Sequence, residues 1–388
     1  MSLQLDNLSL TVDGQPHIYT TNLLLEKSSM NVLLGPTLSG KTSLMRLMAG
    51  LDTPTVGRIL WNGEDVTGKR VQDRDIAMVY QQFINYPSMT VYENIASPLR
   101  IMKKSKAEID KAVKHSADMM KLGPYLDRKP LTLSGGQQQR CALARALVKG
   151  SGLVLLDEPL ANLDYKLREE LRAEIPKIFS ESGAIFVYAT TEPEEALLLG
   201  GNTATINAGR ITQFDRTSSV YHQPQDTITA KTFSNPPMNF LKLNKKGASI
   251  TLGENTQRDA TSPNITTMDT EVLNTAADDK NDNSAFRHMG ELKDGEYIVG
   301  FRANHLELSQ QSSHSISFSA TLNITEITGS ETFLHMHYND EHWVGLVHGV
   351  HDLILGESIQ VFLNPAHIYI FGMDGNIVSS AFYAKETV

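Results

Sequence analysis

The sequence predicts an α/β domain with a mainly parallel sheet, carrying antiparallel β structure and a helical insertion, followed by a small β-barrel. Three observations predict it. Short apolar runs, Val32-Leu33-Leu34, Leu153-Val154-Leu155-Leu156 and Ala184-Ile185-Phe186-Val187-Tyr188-Ala189, alternate with helical segments, as in sheets covered on both faces. Composition shifts near Asn235-Pro236-Pro237, and from Gly253 to about Lys293 the chain is rich in Thr, Asn, Asp and Ser. Beyond that stretch, short alternating runs return at barrel-like spacing.

In chain order, residues 3–12 alternate with period two and read as a half-buried strand; Asp13-Gly14 is a turn, and residues 18–26 a second strand. Val32–Leu34 leads into a glycine-rich turn and then the helix Ser43–Ala49, with Gly50 as its C-cap. The turns around Arg58-Ile59-Leu60-Trp61 predict antiparallel structure over 52–69. Ile76–Tyr80 is a short strand. From about Thr90 to Leu147 apolar residues recur at helical spacing. Ser134 can cap a helix running through Arg145, and Leu163–Ile178 reads as another helix. Barrel strands are expected at 297–301, 316–324, 332–338, 343–347, 358–363 and 367–371.

Composition narrows the function classes. The 388 residues suffice for two domains, and the formal net charge of −9 without a dense Lys/Arg run argues against non-specific nucleic-acid binding. Cys141 is the only cysteine, so no intrachain disulfide can form and a reducing compartment is expected. In such a compartment the Asn-x-Thr matches at Asn264 and Asn323 carry no meaning. No signal peptide and no membrane-spanning stretch is expected, so membrane association would come through a partner.

The turn Gly35-Pro36-Thr37-Leu38-Ser39-Gly40-Lys41-Thr42 lies between strand and helix, the setting a phosphate-binding loop requires. Its N–H groups and the helix N-terminus converge on an anion. Lys41 would reach the β- and γ-phosphates of a nucleotide, and the Thr42 hydroxyl would hold Mg²⁺. Asp157 and Glu158 end an apolar strand, where open α/β sheets bind ligands. Asp157 is placed for Mg²⁺, directly or through water, and Glu158 to orient and deprotonate an attacking water. Alone, such a carboxylate pair reads as ordinary surface; downstream of a phosphate loop it reads as catalytic.

Leu133-Ser134-Gly135-Gly136-Gln137, ahead of the Asp157-Glu158 strand, resembles the signature of ATP-binding-cassette (ABC) ATPases. Gln81 after its strand resembles that family's Q-loop glutamine, and Leu163-Asp164 its D-loop. The likeness covers residues 3 to about 240. Asn235–Leu241, Gly300-Phe301-Arg302 and His305-Leu306 resemble the C-terminal regulatory domain of carbohydrate-uptake importers, of maltose or glycerol-phosphate type. Tyr188–Leu197 looks most like the ATPases of bacterial glycerol importers.

The resemblance implies a P-loop ATPase domain over 1–235, with a helical subdomain at about 86–150. It implies an OB-like β-barrel regulatory domain over 236–388, with a polar loop at about 254–292. It implies ATP and Mg²⁺ as cofactors, Gln81 as a metal and water contact, and Asp164 at the nucleotide. Ser134, Gly135, Gly136 and Gln137 would present N–H groups and a hydroxyl to the γ-phosphate on a second ATPase subunit. Two subunits, identical or different, would close face to face on two nucleotides at the cytoplasmic face of the bacterial plasma membrane. They would drive transmembrane permease subunits through a groove near Gln81–Pro87, serving indirectly an extracytoplasmic solute-binding protein. The solute would be glycerol or a related polyol or sugar.

Three departures stand out. Thr191 replaces the family's γ-phosphate histidine, and losing a positioned donor of this kind often costs on the order of a hundredfold in rate. Leu38 stands where glycine is common and is penalised if its φ is positive. The adenine-stacking aromatic position falls near Val12, with Tyr19 the nearest aromatic downstream, read as a structural strand residue. Thr191 raises the alternative of a weakly hydrolysing partner in a heterodimer. A soluble cassette ATPase acting on nucleic acid would carry two cassettes or a long coiled coil, and a kinase would leave Leu133–Gln137 unexplained. His335-Met336-His337, His342, His348 and His351 are dense; His335 and His337 would share a strand face, as metal ligands can. Without a cysteine or a ligand spacing they read as ordinary strand and loop histidines.

Overall fold

In the computed structural model, the residues described are 1–82, 84–161, 165–247, 249–253, 266–269, 289–312, 315–339 and 341–385. They form two compact units, Met1–Thr217 and Ser218–Val388.

The first unit runs β1 (Ser2–Val12), β2 (Gln15–Glu26), β3 (Met30–Leu34), α1 (Lys41–Ala49), β4 (Val56–Trp61), β5 (Glu64–Asp65) and β6 (Ile76–Val79). The helices α2 (Val91–Ile101), α3 (Lys106–Met119) and α4 (Gly135–Leu147) follow, then β7 (Leu153–Asp157), α5 (Tyr165–Ser182), β8 (Ile185–Thr190), α6 (Pro193–Leu199), β9 (Asn202–Asn207) and β10 (Arg210–Arg216). One sheet has the order β10-β9-β3-β8-β7-β6, parallel except for β10. Leu34 pairs with Thr190, and Asp157 with Ala189, so β3, β7 and β8 end at one edge. That edge carries the glycine-rich turn and the two carboxylates.

Alternate side chains of each strand enter different cores. Val154, Leu156, Phe186 and Tyr188 face the helices of the insertion, while Leu153, Leu155, Ile185 and Val187 pack with α1 and the antiparallel sheet. Burial on both faces is why these strands read as unbroken apolar runs. The antiparallel sheet has the order β2-β1-β4-β5. Asn62 and Gly63, at φ 52° and 82°, turn β4 into β5 as a two-residue primed hairpin requires. The expected helix at 163–178 is found as α5 and runs on to Ser182, through Pro176. Phe179 packs edge-on against Phe186 at 5.4 Å, which holds its last turns.

Gly50 ends α1 at φ 73°, and a Cβ there would lie 2.2 Å from the Arg74 guanidinium carbon. Buried Arg74 donates to the carbonyls of Met48, Thr67 and Lys69, which places a cation at the helix C-terminus and fixes α1 from behind.

In chain order the remaining elements are α7 (Thr217–His222), α8 (Thr227–Thr232), β11 (Asn239–Lys246), β12 (Ser249–Leu252), β13 (Thr266–Asp269), β14 (Gly295–Phe301) and β15 (Leu306–Glu307). Then come β16 (Ile316–Ile327), β17 (Glu331–Tyr338), β18 (Glu341–His348), β19 (Ser358–Leu363), β20 (Tyr369–Gly372) and β21 (Ile377–Ser379). Two antiparallel sheets, β13-β12-β11-β14-β20-β21 and β15-β19-β16-β17-β18, enclose one apolar core in a nearly closed barrel. Trp343 anchors it, stacked on Tyr338 at 4.6 Å and edge-on to Phe301 and Phe318. Its indole N–H donates to the Phe240 carbonyl. Most of the polar stretch expected at 254–292 lies outside the described residues.

Candidate active site

The turn 35–40 joins β3 to α1 under tight steric control. A Cβ on Gly35 would stand 2.1 Å from the Ile206 carbonyl oxygen, and Gly40 caps α1 at φ 106°. Leu38 adopts φ 66° and is 97% exposed, so the penalty anticipated for a side chain there is present. Pro36 and Thr37 are exposed beside it, and Ser39 is buried with its hydroxyl unpartnered.

Lys41, the first residue of α1, is 4% exposed. Its Nζ donates to the carbonyls of Gly35 (2.8 Å) and Pro36 (3.0 Å) and lies 3.4 Å from Glu158 Oε1. Burial pushes this ammonium below its ordinary pKa, and Glu158 opposes that shift. The Thr42 hydroxyl meets the Asp157 carboxylate at 2.9 and 3.1 Å. Burial raises the Asp157 pKa, partly offset by the Thr42 bond. Gln81 Nε2 donates to Glu158 Oε2 at 2.9 Å. Glu158 itself holds φ 44°, with its N–H on the Ala189 carbonyl at 3.0 Å. A non-glycine residue in that region at a strand end is the kind of strain found at functional sites.

These groups floor a cleft of about 560 Å³, lined by Tyr19, Leu38, Lys41, Thr42, Gln81 and Glu158 among others. The volume is that of a small-molecule site. Its donors suit a polyphosphate: a buried lysine, the exposed loop and a helix N-terminus. The oxygens of Thr42, Asp157 and Gln81 are the hard donors a magnesium ion takes.

Residues 134–137 do not line this cleft. Ser134 caps α4 in a reciprocal capping box: its Oγ accepts from Gln137 N–H at 3.4 Å, and Gln137 Oε1 accepts from Ser134 N–H at 3.1 Å. Gly135 is exposed with open space above it, while Gly136 is buried. Ser134 and Gly135 are thus solvent-exposed at the N-terminus of α4, outside this cleft. Thr191 is exposed beyond β8 and also outside the cleft lining. Its neighbour Glu192 is held by Arg168 at 3.1 Å and Arg172 at 2.8 Å. Asp164 lies outside the described residues.

Sequence reasoning missed Pro16, His17, Ser43, Ala208 and Gly209, all in the cleft lining. A Cβ on Gly209 would stand 2.3 Å from the His17 carbonyl oxygen. That close approach joins segments far apart in sequence, and only the β9–β10 turn signal was available to mark it. Tyr19, read as structural, lines the cleft with the Arg210 guanidinium 3.4 Å from its ring centre.

The ABC transporter family matches residues 19–161. An sn-glycerol-3-phosphate import ATP-binding protein of Cupriavidus pinatubonensis is 31% identical over 95% of this chain and 96% of its own length. One of Ruegeria pomeroyi, bearing the same name, is 41% identical over 65% and 72%. The trehalose/maltose import ATP-binding protein of Thermococcus litoralis is 42% identical over 57% and 61%. Among solved structures, the dimeric post-hydrolysis state of the ATP-binding cassette MJ0796, bound to ADP and Pi, aligns with TM-score 0.51 and 27% identity, over 55% of this chain and 98% of that one. This chain belongs to the ABC transporter ATP-binding proteins of the importer type and is an ATPase.

Proposed function

We propose that this chain powers a bacterial importer of glycerol or a related polyol or sugar, hydrolysing Mg-ATP between two ATPase subunits. The observation that carries the site assignment is the linked set Thr42–Asp157, Gln81–Glu158 and Lys41–Glu158 beneath one cleft. Lys41 exchanges its loop carbonyls for the β- and γ-phosphates, and backbone N–H groups of residues 35–42 cradle them. Thr42, Asp157 and Gln81 would hold Mg²⁺, which would supply charge neutralisation at the phosphates. Glu158 accepts the proton of the attacking water, which Gln81 helps orient. Ser134, Gly135, Gly136 and Gln137, with Asp164, serve the nucleotide bound on the second subunit. Thr191 supplies at most a hydroxyl there, so turnover is slower than a histidine would allow.

The permease subunits dock on a second cleft of about 220 Å³ in the first unit. Val79, Gln82, Ile84, Tyr86, Ile101 and Arg145 line it, and Ile101 is 81% exposed. Apolar surface of this kind beside the Gln81 segment supports a partner helix that senses the nucleotide site. Docking there puts the subunit at the cytoplasmic face of the membrane, with a solute-binding protein reached only through the permease. Residues 236–388 act as the regulatory domain.

Glu158→Gln tests the assignment. Nucleotide binding should persist while steady-state hydrolysis falls to background. Unchanged hydrolysis in that variant would refute the role given to Glu158.

A further inference from the structure

The end of β8 is held by a buried carboxylate that the proposed chemistry leaves unused. Glu195 of α6 is 4% exposed. Its Oε2 accepts from the Tyr188 hydroxyl at 2.9 Å and from the Thr190 hydroxyl at 2.6 Å. Its Oε1 lies 3.6 Å from Arg172 Nη2 on α5. Tyr188 and Thr190 stand two residues apart on β8, so both side chains leave the same face and one carboxylate reaches both. The Thr190 hydroxyl also accepts from the Glu192 N–H at 3.0 Å. The backbone of the same strand end holds the active site. The Ala189 carbonyl accepts from the Glu158 N–H at 3.0 Å, and the Thr190 carbonyl from the Gly35 N–H at 3.3 Å.

We propose, on the reading of Glu158 as the base that activates water, that Glu195 is a positioning residue for ATP hydrolysis. It fixes the end of β8, whose last two carbonyls set Glu158 in register with the first residue of the phosphate-binding turn. Glu158 holds a left-handed conformation at φ 44°, which persists only where its surroundings over-determine it. The Ala189 carbonyl is one such constraint, and Ala189 lies between the two residues that Glu195 binds. Stability alone does not call for a charge here. Burial works against the charged form of Glu195 and raises its pKa. Replacing buried charged groups by apolar ones of similar volume is often neutral or stabilising. What the carboxylate adds is direction, through two short bonds that fix both hydroxyls and the strand that carries them. Arg172 faces Glu195 and also bonds Glu192 at 2.8 Å, and Arg168 bonds Glu192 at 3.1 Å, so the turn after β8 is clamped to α5 as well. A shift of about 1 Å at a reacting group costs on the order of a hundredfold in rate, which is why such a clamp matters for turnover.

The test compares the full chain with Glu195→Ala, Glu195→Gln and Thr190→Val. It reads Mg-ATP hydrolysis at saturating nucleotide and high protein concentration, equilibrium ATP binding, and the urea midpoint. Glu195→Ala should lower kcat by about 10–100-fold with little change in the Kd for ATP. Glu195→Gln keeps an accepting oxygen and should recover part of that loss. Thr190→Val keeps the side-chain volume but loses the hydroxyl, and should lower kcat as well. A lower urea midpoint in Glu195→Ala with kcat at the wild-type level would show a structural role only and overturn the proposal. Equal losses of kcat and of ATP affinity would also overturn it, because they would mean general damage to the phosphate-binding turn. If Glu195→Ala does not fold, the other two variants decide, and wild-type kcat in both overturns the proposal. Glu158→Gln, assayed alongside, separates the two claims. Wild-type turnover there refutes the base assignment on which the proposal rests, whereas an inactive Glu158→Gln with unimpaired Glu195 variants refutes only the positioning by Glu195.

Discussion

Lys41 and Glu158 show how much a single residue's setting matters. The phosphate-loop motif and the strand end single out both side chains as candidates, and the bonds of Thr42 to Asp157 and of Gln81 to Glu158 join groups that the sequence scatters over more than a hundred positions. The positive φ of Glu158, just past the end of β7, had no sequence signal. Nor had the closeness of His17 and Gly209, which depends on the approach of β2 to the β9–β10 turn. Leu38 offers a direct test of local strain. A left-handed conformation costs a non-glycine residue about 1–2 kcal/mol, while glycine loses about 0.5–1 kcal/mol through added unfolded-state freedom. Leu38→Gly should therefore leave urea stability unchanged or raise it by up to about 1.5 kcal/mol. A clear loss of stability would mean that the exposed leucine makes contacts worth more than its strain.

Among the elements, α4 was the most legible, since the run from Ser134 to Gln137 is a capping box and the apolar positions that follow have helical spacing. Ser134→Ala should cost about 1 kcal/mol of stability in the first unit, read by urea unfolding. Cys141 on the same helix is buried, and burial pushes its thiol up to about 11. Because the thiolate is the reactive form, a thiol reagent at pH 8 should label it only after urea unfolding. Rapid labelling of the native protein would show α4 to be loosely packed. In the barrel unit, His305 stacks on His367 at 4.1 Å near buried Arg302, with the Tyr383 ring edge-on to both. Burial, then His367 and Arg302, hold His305 well below the ordinary imidazole pKa, and burial lowers His367. The folded unit therefore binds fewer protons than the unfolded chain, whose histidines titrate near about 6.5. The resulting stability is complete above that pH and is lost as pH falls below it. The urea midpoint of this unit should drop between pH 8 and 5.5, and His367→Phe should flatten the dependence.

For the whole molecule, the fold class was legible because unbroken apolar strands, a helical insertion and a β-rich tail each leave a distinct periodicity. What the sequence suggests only through resemblance, and the proposed function adopts, is that one chain carries two incomplete halves. Lys41, Thr42, Gln81 and Glu158 line a cleft, while exposed Ser134 and Gly135 stand outside that lining. On the proposed function, such an ATPase works only when paired. The measurement that tests this most directly is steady-state Mg-ATP hydrolysis by the purified chain across a wide range of protein concentration, with Glu158→Gln as the blank. The account predicts specific activity that rises with concentration as subunits pair, and no turnover in the blank. Specific activity independent of concentration in a protein that remains monomeric, or turnover equal to the blank at every concentration, would contradict it.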